Sequence, residues 1–349
     1  MPSATGKFQE LPYFLTHAHS DHYTNLSSTW KHGPIYCSEE TANLIIHILS
    51  VDKKWVHPLP MDVPTLVPNS GGVHVTLISA NHCPGSSFPS PWIGSSKTFR
   101  YLHCGDFRAS PQHTEHPAVK GKRLDHVYLD TTYLDPKYTF PPQPLVISAC
   151  ADLAKRIAAG IPPDPKMDQW ITSPAKGKQK ASPERILMVV GTYSVGKERI
   201  VKAIAQAINS KISIDKLHAY LTQPALKGTF TRVVGFRPTG WTYSPPAGSS
   251  TSPTLTSVIT QTQQKSFTHA SLRPARTPTA AVQVYPVPYS EHSSFFELTC
   301  FALALDWRRM IATVNVGSQR SRVKMDGWMK KWEAERKRMK VKPRRDDFW

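Results

Sequence analysis

No run of eighteen or more apolar residues occurs in the 349-residue chain, so no segment has the length of a membrane-spanning helix. The opening MPSATGKFQELPYF also lacks the basic-then-apolar order of a secretory signal. Cysteine is scarce: Cys37, Cys83, Cys104, Cys150 and Cys300 are odd in number and widely spaced, with no CxxC pair. That pattern argues against a disulfide framework or a thiolate zinc finger, and an intracellular protein with reduced, mostly buried thiols is expected. Acidic residues are the third shortage. Asp and Glu number 25 against 43 Lys and Arg, a formal charge of +18, and none occurs between Asp215 and Glu291. A surplus of that size favours a polyanionic partner, because each phosphate neutralised by Lys or Arg releases condensed counterions. Part of it is local to KKWEAERKRMKVKPRR, residues 330–345, for which a solvated basic helix, a nucleic-acid tail and a nuclear-import signal are all open.

What is present is a recurring layout, a short β-rich apolar run followed by a polar loop. LPYFLT precedes HAHSDH, VHVTLIS precedes ANHCPG, FRYLH precedes CGDFRA, HVYLD precedes TTYLDP, RILMVV precedes GTYSVGKE, and AVQVYPV precedes PYSEHSS. Strand ends converging on one edge of a layered α/β core would gather these loops, where such folds place ligands. Apolar spacing predicts helices over 39–50, 196–208 and 293–305. With 40% hydrophobic residues the chain can build two sizeable layered domains or one large one. Residues 160–183 and 244–280, rich in Pro, Ser, Thr and Lys, read as flexible insertions.

The stretch FLTHAHSDHYTNL puts His17, His19, Asp21 and His22 within six positions. Imidazole nitrogen and carboxylate oxygen are the donors a zinc-type ion takes, and HxHxDH supplies four in one loop. His82 in ANHCPG, Asp106 in CGDFRA and His292 in PYSEHSS each follow a β-like run and complete two coordination spheres. The other ten histidines read as structural; His103 and His126 lie nearest the motifs. GTYSVGKE follows a strand and opens a helix, so amides at the helix start could hold a phosphate with Thr192, Ser194 and Lys197. It is not a Walker A loop, which would need Ser or Thr where Glu198 stands.

FLTHAHSDHY, LISANHCPG, LHCGDFRA, VYLDTTYLDPKYTFP, VVGTYSVGKERI, VVGFRPTGW, VPYSEHSSFFEL and IATVNVG, in that order from residue 14 to residue 317, resemble the metallo-β-lactamase-fold nucleases with a β-CASP insertion, in their DNA cross-link repair branch. The resemblance implies an α/β, four-layer αββα core from residues 1–140 and 281–349, the latter ending in a basic tail, with a β-CASP domain at 141–280 inserted. It implies that His17, His19 and His82 hold one zinc, that Asp21, His22 and His292 hold a second ion (zinc, Mg²⁺ or Mn²⁺), and that Asp106 bridges them. Asp130 matches an acid beside the metals, and Asp21, Asp106, Asp130 and His292 are the implied catalytic residues. The implied activity is hydrolysis of DNA phosphodiesters, 5′ to 3′ from 5′-phosphorylated ends, by a nuclear monomer in interstrand cross-link repair. A hairpin-opening endonuclease and a weakly active or inactive DNA-binding remnant are the alternatives. Three departures stand out. The family's opening strands and a further Asp are expected to be missing before HxHxDH, Ser79 replaces an acid, and only 35 residues separate Arg199 from Gly235.

Overall fold

Short strands and polar loops do alternate along the chain, and in the computed structural model they form a mixed α/β protein; it describes residues 11–93, 98–161, 185–192, 194–214, 220, 223, 228–245, 253–260, 266–275, 278–279 and 281–338. Two compact units result. One comprises Met1–Pro136, Ser250–Gln261 and Glu291–Trp349, the other Lys137–Ser249 and Thr262–Ser290.

In the first unit, β1 (Tyr13–Phe14), β2 (Ile35–Cys37) and β3 (Val56–Pro58) make a three-stranded parallel sheet. A helix, Glu39–Leu49, starts directly after β2 because Ser38 caps it: its Oγ accepts from Thr41 N–H at 3.3 Å, and Glu39 and Glu40 occupy the positive first turn. Ala42 and Ile45 turn inward onto Leu15, Ile35 and Cys37. The chain then lays down β4 (Thr65–Leu66), β5 (His74–Ser79), β6 (Ser87–Ile93), β7 (Phe99–His103) and β8 (Arg123–Leu129). Pro89 and Pro91 argue against a strand in β6, yet it pairs antiparallel with both β5 and β7.

The second unit packs helices Gln143–Ala158 and Glu198–Ala207 with a parallel sheet of β9 (Ile186–Val190), β10 (Arg232–Pro238) and β11 (Val282–Val287), ordered β11-β10-β9. The chain re-enters the first unit through helix Phe295–Ala304, β12 (Asp306–Ala312) and helix Gln319–Arg338. β12 pairs parallel with β8, completing a six-stranded sheet ordered β12-β8-β7-β6-β5-β4. Leu102, Leu124, Val127 and Leu129 of that sheet share a core with Phe295, Leu298, Phe301, Trp328 and Trp332 of the two closing helices. Each such side chain, fully buried, contributes about 1.5–3 kcal/mol.

All six expected strand runs contain a strand, although LPYFLT yields only two strand residues, and all three expected helices form. Leu255–Thr260, read as part of a flexible insertion, is a helix whose Val258 is 1% exposed in the main core. Most of the expected insertion at 160–183, parts of 244–280 and the basic tail beyond 338 lie outside the described residues. His103 stacks on Tyr128 and His126 on Tyr101, both as cross-strand ring pairs 5.3 Å apart.

His113 is locked into the core, 2% exposed. Its Nε2 donates to Ser79 O at 2.9 Å and its Nδ1 accepts from Ser110 N–H at 3.0 Å. Burial pushes its pKa down to about 4. The folded state therefore holds a neutral ring, while an unfolded His titrates near 6.5. Between those values only the unfolded chain binds the proton, so this contribution is full above about pH 6.5 and falls as pH drops through about 4. His113→Gln should flatten the acid limb of a denaturation-versus-pH curve by up to about 3 kcal/mol; an identical acid limb would assign the loss to other groups.

Candidate metal centre

The loops leaving β1, β5, β7 and β8 and the loop before helix Phe295–Ala304 converge in the first unit. Two glycines permit this. Gly85, φ +74°, sits so close to the helix beginning at Glu39 that a Cβ would lie 2.6 Å from Glu40 Cβ, and its carbonyl accepts from Ser38 Oγ at 2.6 Å and Thr41 Oγ1 at 3.1 Å. Gly105, φ +54°, brings the Asp106 loop onto Thr16, where a Cβ would meet Thr16 Cβ at 2.9 Å.

One atom lies at the middle. Asp106 Oδ2 is 3.2 Å from His22 Nε2, 3.7 Å from His17 Nε2, and 3.9 Å from both His82 Nε2 and His292 Nε2. His19 Nδ1 faces His17 Nε2 at 3.1 Å and His82 Nε2 at 3.2 Å. Bonds of about 2.0–2.1 Å at tetrahedral angles separate zinc-bound nitrogens by about 3.3 Å, close to these spacings. Three sets of donors emerge around the shared carboxylate: His17, His19 and His82; Asp21 and His22; and Asp130 with His292.

The outward ring nitrogens are held as a metal site requires. His17 Nδ1 lies 3.0 Å from Thr16 Oγ1, His82 Nδ1 3.0 Å from Glu291 O, and His292 Nδ1 2.8 Å from Asp130 Oδ2, which aims each Nε2 at Asp106. Burial drives His17 down to about 2, and burial with His292 nearby takes His82 down to about 4. Both therefore offer neutral lone pairs at physiological pH. Burial opposes charge on Asp106 too, but the hydrogen bond from His22 and the surrounding imidazoles hold its carboxyl well below the usual range. His22 and His292 move the other way: burial works against their charge, yet Asp106 raises His22, and Asp130 raises His292 to about 9. The donor set fits two ions sharing a carboxylate.

Asp130, implied as catalytic, is 1% exposed and committed elsewhere. Beyond His292 it accepts from Phe107 N at 3.3 Å, Thr132 N at 3.0 Å and Thr132 Oγ1 at 2.7 Å, which makes it an orienting group. The side chain of Asp21, 76% exposed, is the open member of the cluster. Thr192, Ser194 and Lys197 belong to the second unit. Thr192 is exposed, Ser194 half-buried and Lys197 3% exposed, while Gly196 N–H points to the Glu198 carboxylate at 2.9 and 3.1 Å. An amide expected for phosphate thus has an internal acceptor. Sequence reasoning did not name Arg108, Ser293 or Glu297, which tie the Asp106 and His292 loops together. Only Glu297 carried a signal, standing three residues after the capping Ser294.

Comparison with known proteins agrees with this geometry. A family model described as DNA repair metallo-beta-lactamase matches residues 201–318. The DNA cross-link repair protein pso2/snm1 of Schizosaccharomyces pombe is 40% identical, covering 93% of this chain and 60% of that protein. The DNA cross-link repair protein SNM1 of Arabidopsis thaliana is 34% identical over 92% and 64%, and the 5′ exonuclease Apollo of Gallus gallus 31% identical over 83% and 55%. The chain thus spans between about half and two-thirds of the length of these curated relatives. With relatives aligned along nearly its whole length and a histidine–aspartate cluster built around Asp106, the chain is similar to the DNA cross-link repair proteins, and over residues 201–318 to the DNA repair metallo-beta-lactamase family.

Proposed function

We propose that the chain is a metal-dependent DNA nuclease acting 5′ to 3′ from 5′-phosphorylated ends in cross-link repair, as a monomer in the nucleus. The observation that carries this reading is the single Asp106 oxygen within 3.9 Å of four imidazole nitrogens. The basic surplus of the chain and the names of its relatives agree with a DNA substrate. In this reading residues 1–140 and 281–349 form the four-layer core and 141–280 a β-CASP insertion.

His17, His19 and His82 would hold one zinc, Asp21, His22 and His292 the second ion (zinc, Mg²⁺ or Mn²⁺), and Asp106 both. Two ions so held supply Lewis acidity and water ionised near neutral pH. The protein's own part is positional. Asp130 fixes the His292 ring, and Glu291 O and Thr16 Oγ1 fix His82 and His17. Exposed Asp21 marks the side from which a phosphodiester approaches.

Oligonucleotides labelled at the 3′ end test the reading: progressive loss of nucleotides from a 5′-phosphorylated end is expected, whereas internal cuts or hairpin opening would identify an endonuclease. If Lys197 holds the terminal phosphate, Lys197→Gln should reduce the preference for 5′-phosphate over 5′-hydroxyl ends by about tenfold, one charge-assisted contact. An unchanged preference would return GTYSVGKE to an ordinary strand-to-helix turn.

A further inference from the structure

Bonds not used in the reading above tie the Asp106 loop to the His292 segment. Phe107 O accepts from both N–H and Oγ of Ser293, each at 3.0 Å, and Ser293 Oγ accepts from Ala109 N–H at 2.9 Å. Beside them Arg108 Nε and Nη2 both donate to Glu297 Oε1, at 3.1 and 3.0 Å, with the two side chains only 3% and 7% exposed. Glu297 divides its carboxylate. Its Oε2 accepts from Ser294 N–H at 2.7 Å, and its own N–H donates to Ser294 Oγ at 3.2 Å, the cap of the helix that follows His292. Arg108 also grips the loop of His82: its N–H donates to Ala80 O at 3.0 Å and its carbonyl accepts from Asn81 Nδ2 at 3.3 Å.

One arginine therefore joins the three loops that bring His82, Asp106 and His292 together. A buried ion pair is no stronger a source of stability than a well-packed apolar pair of the same volume, so stability alone does not call for charge here. What the guanidinium adds is direction: a planar fork holds its partner at a fixed angle, which an apolar contact does not.

We propose that Arg108 and Glu297 are positioning residues that set the distance of Asp106 from His292 and, through it, the spacing of the two ions, while lying outside the ligand set. This inference rests on the two-ion reading proposed above.

The test neutralises both partners while keeping the helix cap, because removing one alone leaves a buried unpaired charge. Wild type and Arg108→Met/Glu297→Gln are loaded with Mn²⁺ and compared by elemental analysis, by electron paramagnetic resonance for exchange coupling between the ions, by melting temperature, and by kcat and KM. Expected are a folded variant with a near-normal melting temperature, altered or lost exchange coupling, and a fall of about 10–100-fold in affinity for the second ion and in kcat, the usual cost of losing an outer partner. If that variant does not fold, Arg108→Lys, which keeps the charge opposite Glu297 but replaces the planar fork by a single ammonium, should show the same change of coupling in smaller degree. Wild-type coupling and kcat in a folded variant would overturn the positioning role. A wild-type protein that binds two Mn²⁺ without coupling, or only one, would instead sink the two-ion reading and this proposal with it.

Discussion

Asp106→Asn should lower DNA cleavage by on the order of 10³-fold or more, about 4 kcal/mol of transition-state stabilisation. The carboxylate oxygen is the one atom that all three donor sets share. An amide brings no negative charge to that point and is a poorer donor to a divalent ion than a carboxylate. DNA affinity at fixed salt should stay within about threefold, because binding draws on the distributed basic surface. Single-turnover cleavage and fluorescence anisotropy, measured on one preparation, separate the two quantities. Near-normal turnover in this variant would remove Asp106 from the centre of the chemistry.

Removing the metal is the second large effect. His19 Nδ1 lies 3.1 Å from His17 Nε2 and 3.2 Å from His82 Nε2, and one ring proton can satisfy only one of these contacts, whereas a cation between the three rings would satisfy all of them. An ion present at a thousandfold excess over its Kd stabilises the folded state by about 4 kcal/mol, and two such ions by about twice that. Dialysis against a chelator should therefore abolish cleavage and lower the melting temperature by at least about 10 °C, taking about 2–4 °C per kcal/mol for a unit of this size. Zinc or manganese added back should restore both. A protein shown metal-free by elemental analysis that melts and cleaves as before would disprove the metal assignment.

Much of this was legible in the sequence because the relevant signals are local. Each cluster residue follows a short β-rich run, so strand ends could be read off one by one, and HxHxDH places four donors in a single loop. Helix Gln143–Ala158 was also readable, with Val146, Ala149, Cys150, Leu153, Ala154 and Ile157 along one face, but a β-branched start and the absence of a side-chain cap obscured it. β6 was hidden by its prolines, and β2, β3 and β4, of two or three residues, are too short to show a period. The orienting role of Asp130 and the Arg108–Glu297 pair were out of reach for another reason. Both depend on partners more than 150 residues away, and no spacing rule connects them.

The pairing of β12 with β8 sets the order in which the protein can be made. During synthesis β8 leaves the ribosome with its outer edge bare, and its neighbour, starting at Asp306, follows 177 residues after Leu129. At about 5–20 residues per second that interval lasts roughly 10–35 s. The second unit, whose strands all pair with one another, can fold during the wait. The nascent first unit meanwhile lacks both a strand and His292, so a chain broken off early carries the HxHxDH loop without its distant partner. Such fragments present an open sheet edge, a target for chaperones and proteases. The cluster is thus completed only once the segment carrying His292, 162 residues after Asp130, has been made.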